Sequence, residues 1–178
     1  MIEMKNWYAL YTRSRWEKKV AELLTRKQVE NYCPLNRVQR QWSDRRKIVM
    51  EPLFRSYVFV HMTESQHLTA RSVDGVINLV YWQGKPAIIR DTEIEVIRHF
   101  LNDYEQVKLE KTEVDLEDKV RVTHGPLMLM EGKVVEVKHK TVRVLLPSLG
   151  YAMVAEIDKS NIEKISMISA RNAVMIQS

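Results

Sequence analysis

The sequence predicts an α+β protein with two domains: an N-terminal domain built on a four-stranded, mostly antiparallel sheet flanked by helices, and a small SH3-like β-barrel. Segments with the period of a strand or of a helix alternate over residues 1–104. A charged stretch without hydrophobic period follows at 105–116, and short alternating strands separated by glycine turns follow at 117–165. We therefore expect domains at 1–104 and 117–165, a linker at 105–116 and an unassigned tail at 166–178.

The composition is that of an ordinary globular protein. The chain has 178 residues, 45% of them hydrophobic, and contains no apolar run of about 18 residues that would cross a membrane. Residues 1–6 do not resemble a signal peptide, so we expect a cytoplasmic protein without membrane contact. Cys33 is the single cysteine, and the five histidines show no ligand spacing, so neither a disulfide nor a metal or other cofactor is expected.

The run from Pro52 to Val60 predicts the central strand of the N-terminal sheet. Its β-branched and aromatic residues are typical of a buried strand, and Pro52 fits only at the start because proline lacks a ladder donor. Trp7 to Tyr11 is equally β-prone and predicts the opening strand. These two segments are expected to form the core of the domain.

Three helices are expected around this sheet. Ser14 and Glu17 have the spacing of a capping box, and Thr63 and Gln66 repeat that spacing before a short second helix. Asp91 is expected to cap the third helix. The apolar face of that helix comprises Ile94, Ile97, Phe100 and Leu101.

A basic hairpin is expected to project between the first helix and the central strand. The segment 31–35 predicts a short strand, and Ser43-Asp44 then marks the turn between two strand-like runs, 38–42 and 46–50. A further strand is expected at 76–82.

Positive charge is concentrated in one region. Residues 13–55 contain 12 Lys and Arg against 5 Asp and Glu, an excess of 12 − 5 = +7 in a chain whose net charge is +5, so the remainder sums to −2. Such a region attracts polyanions, and Trp16, Tyr32 and Trp42 lie within it, where they offer stacking surfaces for unpaired bases. From charge alone, a solvated basic face is an equally good interpretation.

The C-terminal part predicts strands and not helices. Its segments at 119–122, 132–137, 142–146 and 152–157 are rich in β-branched residues and are about ten residues apart. Glycines and prolines at 125–126, 132, 147 and 150 are unfavourable inside a helix and would interrupt one here. We therefore expect a stable β-barrel and not a helical hairpin.

Several motifs resemble the NusG family of transcription factors, over about residues 5–165. Those that resemble its NGN domain are Trp7-Tyr8, 52–60 and Arg71-Ser72-Val73-Asp74-Gly75-Val76. Those that resemble its KOW motif are Asp118-Lys119-Val120-Arg121-Val122, Gly125-Pro126 and Glu131-Gly132-Lys133-Val134. Within the family, the short hairpin and the segments 51–54 and 85–89 look nearer to specialised paralogues of the RfaH and UpxY types.

The resemblance implies a transcription elongation or antitermination factor. Such a monomeric factor binds the clamp helices of RNA polymerase through its NGN domain and suppresses pausing or termination, in the specialised paralogues at particular operons such as those for capsular or surface polysaccharide. The matching positions for the polymerase-binding patch are Tyr8, Tyr11, Tyr57 and Phe59. Because side chains alternate along a strand, Tyr57 and Phe59 share one face and Val58 and Val60 the other, and one of the two sets must be covered by the protein's own helices. We expect Tyr57 and Phe59 to face outward; the alternative is that some residues of the patch are core.

Specialised paralogues also contact the non-template DNA strand of the elongation complex. Phosphates need cations, and flipped bases need donors and flat surfaces. The candidates for this nucleic-acid contact are Arg13, Arg15, Arg40, Arg45, Arg46, His67 and Arg71.

Two departures from the family pattern change the expected contacts. Arg55-Ser56 stands where the family has Pro-Gly, so the turn is less constrained and Arg55 offers a new contact. In the KOW turn the family's aromatics are replaced by an apolar partner-binding loop, Leu127, Met128, Leu129 and Met130. This replacement puts in doubt the family's KOW contacts with Rho and with the ribosomal small subunit.

Two other classes of protein share part of this sequence pattern. A ribosome- or RNA-binding KOW protein without a polymerase role would share the barrel and the charge but would not need an apolar groove. An enzyme is not expected, because Asp91, Glu93 and Glu95 lie in the first turn of a helix, where carboxylates favour the helix dipole, with no histidine or nucleophile beside them.

Overall fold

The computed structural model describes residues 3–111, 135–138 and 141–156, with the backbone alone for 135–138 and 141–142. The chain divides into two compact units, Met1–Glu105 and Gln106–Ser178. No helix within the described ranges is both long and apolar enough to cross a membrane.

The first unit contains eight strands and three helices among its described residues. They are β1 (Asn6–Thr12), α1 (Glu17–Arg26), β2 (Glu30–Tyr32), β3 (Leu35–Gln41), β4 (Arg46–Pro52), β5 (Tyr57–Met62), α2 (His67–Arg71), β6 (Val76–Leu79), β7 (Tyr81–Trp82), β8 (Lys85–Pro86) and α3 (Asp91–Asp103). The main sheet has the order β2-β5-β1-β6 with antiparallel pairing throughout, which confirms the predicted four-stranded sheet. The β3–β4 and β7–β8 hairpins form separate two-stranded sheets, the first of which is the predicted basic hairpin.

One face of the main sheet carries the aliphatic core. Tyr8 pairs with Val60 and Leu10 with Val58, so these four side chains share a face. They form one cluster with Val20 and other residues of α1 and α2, and Leu10, Val58 and Val60 have no exposed surface. This face will be called the helix face.

The opposite face is aromatic. Tyr11 pairs directly with Tyr57, Ala9 with Phe59 and Trp7 with His61. Arg98 of α3 lies over the Trp7 ring, 5.6 Å from its centroid, which places α3 on this side of the sheet. This face will be called the aromatic face.

The run from Pro52 to Val60 is not one strand, contrary to the prediction. Pro52 ends β4, and β5 begins only at Tyr57 after a turn at Phe54–Ser56. Ser56 has φ of 64°, the left-handed conformation, which interrupts the extended backbone between β4 and β5. Strand β5 nevertheless lies between β2 and β1. The prediction of an interior strand is therefore correct for the second half of the run, from Tyr57 to Val60.

The helix starts agree with the predicted caps in one case of three. Thr63 and Gln66 form the expected capping box. The predicted box of Ser14 and Glu17 is wrong: Glu17 is 4% exposed and its Oε1 accepts a 2.6 Å hydrogen bond from the distant Ser56 N–H. Asp91 does not cap α3 either, because it already occupies the first turn of that helix. Local spacing cannot reveal that a carboxylate is used by a residue 39 positions away.

The second unit is an antiparallel sheet in its described residues. Its strands are β9 (Lys108–Lys111), β10 (Val135–Lys138), β11 (Thr141–Leu146) and β12 (Tyr151–Glu156), in the order β10-β11-β12-β9. Strands at 142–146 and 152–156 are thus confirmed. Strand β9 corrects the expectation of an unstructured linker: its backbone pairs with β12 although its sequence is charged. The loop Leu127, Met128, Leu129 and Met130 lies outside the described residues.

Candidate functional site

An aromatic cluster lies at the centre and one end of the aromatic face. The cluster is defined as Tyr11, Tyr32, Phe54, Tyr57 and Phe59. Phe59 is 1% exposed, with Phe54 packed edge-on at 5.2 Å and Tyr32 at 6.5 Å between ring centroids. The rings of Tyr11 and Tyr57 are 5.5 Å apart, and Tyr11 is 42% exposed. The cluster is therefore core at Phe59 and surface at Tyr11.

The structure separates the four residues of the predicted polymerase-binding patch. Tyr11, Tyr57 and Phe59 share the aromatic face, as their register requires. Tyr8 lies on the helix face, is 3% exposed and packs edge-on against the His67 ring at 4.8 Å, so it cannot belong to the same surface. Phe59 points to the expected side of the sheet but is buried, so only Tyr11 and Tyr57 reach the surface.

Tyr32 links this cluster to α3. The guanidinium of Arg98 lies 4.9 Å from the centroid of the Tyr32 ring. Burial raises the pKa of the Tyr32 phenol to about 12, and the charge of Arg98 opposes that shift only in part. The phenol is therefore neutral at physiological pH.

A basic groove lies between the start of α1 and the base of the β3–β4 hairpin. It encloses about 570 Å³. Its lining consists of Ser14, Arg15, Glu17, Lys18, Arg40, Val49, Met50, Glu51, Pro52 and Arg55. Four cations and two carboxylates among these residues give the groove a formal charge of +2.

Both carboxylates of the groove already have partners. Arg40 donates two hydrogen bonds to Glu51, at 2.9 and 2.8 Å, and Glu17 accepts from the Ser56 N–H. The hydrogen bond from Arg40 lowers the pKa of the Glu51 carboxyl, and the charge of Arg40 adds to this effect. Arg15 and Arg55 form no ion pair with any residue that the structure describes. The groove thus contains two arginines outside any ion pair among the described residues, and the charge of Arg55 contributes from a longer distance to the lowered pKa of Glu51.

A second basic surface lies on the other side of α1 and will be called the Arg13 surface. Lys19 and Arg13 lie over the Trp16 ring at 4.0 and 5.4 Å from its centroid, and Arg13 also approaches Asp74 at 4.0 Å. Trp16 in turn rests on Gly75, where an added Cβ would come within 2.4 Å of the ring. The absence of a side chain at Gly75 is what allows Trp16 to lie flat and support the two cations.

The seven predicted nucleic-acid residues do not form one surface. Arg15 and Arg40 line the groove, while Arg13 belongs to the Arg13 surface, and Arg71 is exposed at the end of α2. Arg45 lies in the hairpin turn, and Arg46 is on the hairpin face opposite to Arg40, where it bonds to Gln41.

His67 is the least suitable of the seven. Its ring is half-buried against Tyr8, and its Nε2 has no hydrogen-bond partner among the residues described. It is therefore a packing residue of the helix face rather than a projecting donor.

Several residues of these surfaces are absent from the predicted site, among them Tyr32, Phe54, Lys18, Lys19 and Arg55. Phe54 and Tyr32 complete the aromatic cluster, but they come from a turn and from a short strand whose register the sequence does not reveal. Lys18 lies in α1 but Arg15 precedes that helix and has a left-handed backbone, so no helical spacing in the sequence signals that they share a surface. Arg55 was visible only as a departure from a family pattern.

The described residues have the features of a binding protein. Within ranges 3–111, 135–138 and 141–156, no group of three or more His, Cys, Asp or Glu is placed to hold a metal ion. The first unit presents aromatic rings at one end of its sheet and has cations both in the basic groove and on the Arg13 surface.

Comparison with known proteins gives the family. The family model described as "Transcription termination factor nusG" matches residues 5–98, which is more than half of the chain. The chain belongs to the NusG family, which confirms the resemblance seen in its motifs. Its relatives are named for transcription termination and antitermination, so this is a transcription factor.

The similarity extends along nearly the whole chain. "Transcription termination/antitermination protein NusG" of Streptococcus pyogenes serotype M1 is 29% identical over 175 residues, covering 90% of this chain and 97% of the relative. The protein of the same name from Bacillus subtilis (strain 168) is 28% identical over 180 residues, covering 90% and 99%. A solved structure titled "Domain interaction in Thermotoga maritima NusG" has a TM-score of 0.47 at 23% identity, covering 86% of this chain and 98% of that one.

Proposed function

We propose that this chain is an elongation and antitermination factor that binds RNA polymerase through the aromatic cluster and suppresses pausing or termination. The observation that carries the proposal is the pair Tyr11 and Tyr57, which lies at the surface on a rigid base of buried rings. The partner implied by the family is the clamp helices of the polymerase. Membership of the specialised RfaH or UpxY types, acting at polysaccharide operons, is part of the proposal and rests on the sequence motifs alone.

The cluster has the physical properties of a helix-docking site. Phe54 and Phe59 are buried in the free protein, so they need no reordering when a partner binds. Tyr11 and Tyr57 then offer two adjacent rings with few rotatable bonds, which is the composition of most binding hot spots. A partner helix would insert an apolar side chain beside these rings and leave their hydroxyls at the polar rim.

The non-template DNA strand is the second proposed partner. The Arg13 surface combines two cations with a tryptophan ring, so it offers both phosphate contacts and a support for an unpaired base. Arg71, exposed at the end of α2, adds a further cation.

The domain division at 1–104 and 117–165 remains a prediction. The same holds for the KOW contacts with Rho or the ribosomal small subunit, which the loop sequence puts in doubt.

The experiment that tests polymerase binding is a pair of matched double variants of the full chain. Tyr11→Ala/Tyr57→Ala is expected to weaken binding to purified core RNA polymerase by about 2 kcal/mol or more, roughly thirtyfold in Kd. Tyr81→Ala/Trp82→Ala removes two other exposed aromatics of the same domain and is expected to bind like the unchanged chain. Fluorescence anisotropy of the labelled protein gives both Kd values.

A ribosome-binding protein would give a different result. In that case the unchanged chain would be retained by purified ribosomes and not by polymerase. Equal losses in the two double variants would also contradict the assignment, because they would show that no particular aromatic pair carries the interaction.

A further inference from the structure

We propose that the basic groove is a second nucleic-acid site, which binds the backbone phosphates of a single strand through Arg15 and Arg55. The proposal rests on the proposed function for the class of its ligand, but it uses different residues from the Arg13 surface. Lys18 reaches toward the hairpin, whereas the next residue, Lys19, lies over Trp16 on the other side of α1. Helix α1 therefore separates the basic groove from the Arg13 surface, although both belong to the same basic region of the sequence.

The charge balance favours an anion. The groove has four cations against the two carboxylates of Glu17 and Glu51, which leaves a formal charge of +2, and Glu51 is engaged most closely by the two hydrogen bonds from Arg40. Arginine binds a phosphate with two parallel N–H groups, a geometry that a point charge does not provide. Two such arginines on one concave surface provide contacts for two phosphates.

The groove is also held in shape before any ligand binds. Lys18 Nζ donates to the Met50 carbonyl at 2.6 Å and so joins α1 to β4. Arg40 and Glu51 bridge the two strands of the hairpin, and the bond from Ser56 N–H to Glu17 fixes the turn that presents Arg55. A site held by three such contacts loses little entropy on binding.

The cations continue along the hairpin beyond the groove. Lys47 is paired directly with Arg40, so both side chains lie on the hairpin face that lines the groove. Trp42, in the hairpin turn, is 59% exposed and able to stack on a base. A row of cations ending at an exposed aromatic ring suits a nucleic-acid strand better than an acidic peptide, which has no base to stack.

The test measures how strongly salt weakens binding. Full-length protein is titrated into a fluorescein-labelled twelve-residue oligothymidylate at several salt concentrations, and anisotropy gives the association constant. The variant Arg15→Gln/Arg55→Gln is expected to reduce the slope of log K against log salt by roughly 1.4, because each phosphate contact on a single strand contributes about 0.7. Affinity at low salt should fall about tenfold or more.

Two further variants provide controls. Arg26→Gln/Arg90→Gln removes the same charge from exposed positions outside the groove and should leave the slope unchanged. Arg13→Gln/Lys19→Gln removes the cations of the Arg13 surface and should reduce the slope independently, so that its effect adds to that of the groove variant.

Three outcomes would overturn the proposal. Equal losses in the groove variant and in the Arg26/Arg90 variant would mean that only total charge matters. An unchanged slope in the groove variant would mean that Arg15 and Arg55 do not contact phosphates. A labelled dodecaglutamate that binds as tightly as the oligothymidylate would mean that the groove accepts an acidic peptide.

The groove and the polymerase site can fail separately. If the groove variant keeps its slope while the Tyr11/Tyr57 variant still loses polymerase affinity, only the groove proposal is wrong. If the unchanged chain does not bind polymerase and the groove variant still loses slope, the proposed function is wrong and the groove remains a nucleic-acid site.

Discussion

The two faces of the main sheet use the same strands for different purposes. On the helix face, Leu10, Val58 and Val60 have no exposed surface, since α1 and α2 cover them. On the aromatic face, exposure rises along β5 and β1 from the buried Phe59 to the half-exposed Tyr11. A strand with alternating side chains can therefore supply a closed core on one face and an open docking edge on the other.

The difference also limits where a partner can reach. Trp7 is 5% exposed, stacked on His61 at 4.9 Å and overlaid by Arg98, so that end of the aromatic face is closed. Only the end with Tyr11 and Tyr57 is open. The aromatic face is thus a core in one half and a surface in the other, and substitutions can test where the boundary lies.

The largest expected effect separates two neighbours on that face. Phe59→Ala should lower the free energy of unfolding by about 3–5 kcal/mol, because it empties a fully buried ring site between Phe54 and Tyr32. Tyr57→Ala, two residues earlier on the same face, should cost less than about 1.5 kcal/mol, since its side chain is only partly buried. Urea unfolding of the two single variants provides the comparison. Similar costs would show that the boundary between core and surface is misplaced.

A smaller effect is expected at the contact between α1 and the turn that precedes β5. Glu17→Ala leaves the Ser56 N–H without its acceptor and should cost about 1–3 kcal/mol. Glu22→Ala, on the exposed side of α1, is the matched control and should change stability by less than about 0.5 kcal/mol. Thermal unfolding of both variants measures the difference. If Glu17→Ala matched its control, the bond to Ser56 would have no part in holding the turn.

The smallest expected effect concerns Cys33, directly after β2, and it is an effect on the rate of thiol modification. Burial raises the pKa of the Cys33 thiol to about 11, with the nearby Glu17 adding to the shift. The thiolate reacts and the thiol does not, so at pH 8 the native protein should hold about a hundredfold less thiolate than an exposed cysteine. Ellman's reagent should accordingly react slowly with the native chain and rapidly in urea. Equal rates would show that this edge of the sheet is open to water.

The sequence allowed much of the fold to be predicted, because periodicity and turn chemistry are local. The positions of strands and helices along the first unit, the basic hairpin and the Thr63 capping box all depend on residues a few positions apart. Glu17 was misassigned because its partner is 39 residues away. The basic groove escaped notice for the same reason, since its cations come from α1, the hairpin and the following turn.

The aromatic patch could have been predicted better from the sequence. Tyr8 and Tyr11 are three residues apart on one strand, so alternation places them on opposite faces and only one of them can accompany Tyr57. Which one does is set by the pairing of β1 with β5, and that register depends on contacts between distant segments.

The turn at Ser56 has a consequence for how two ligands would influence each other. Arg55 lines the groove, Tyr57 belongs to the aromatic cluster, and the residue between them is held in a left-handed conformation by Glu17. A ligand that shifts this turn acts on both sites, because three consecutive residues share one short backbone segment. Thermodynamic reciprocity then requires that, whatever factor a nucleic-acid strand imposes on the affinity for a protein helix, the helix imposes the same factor on the strand.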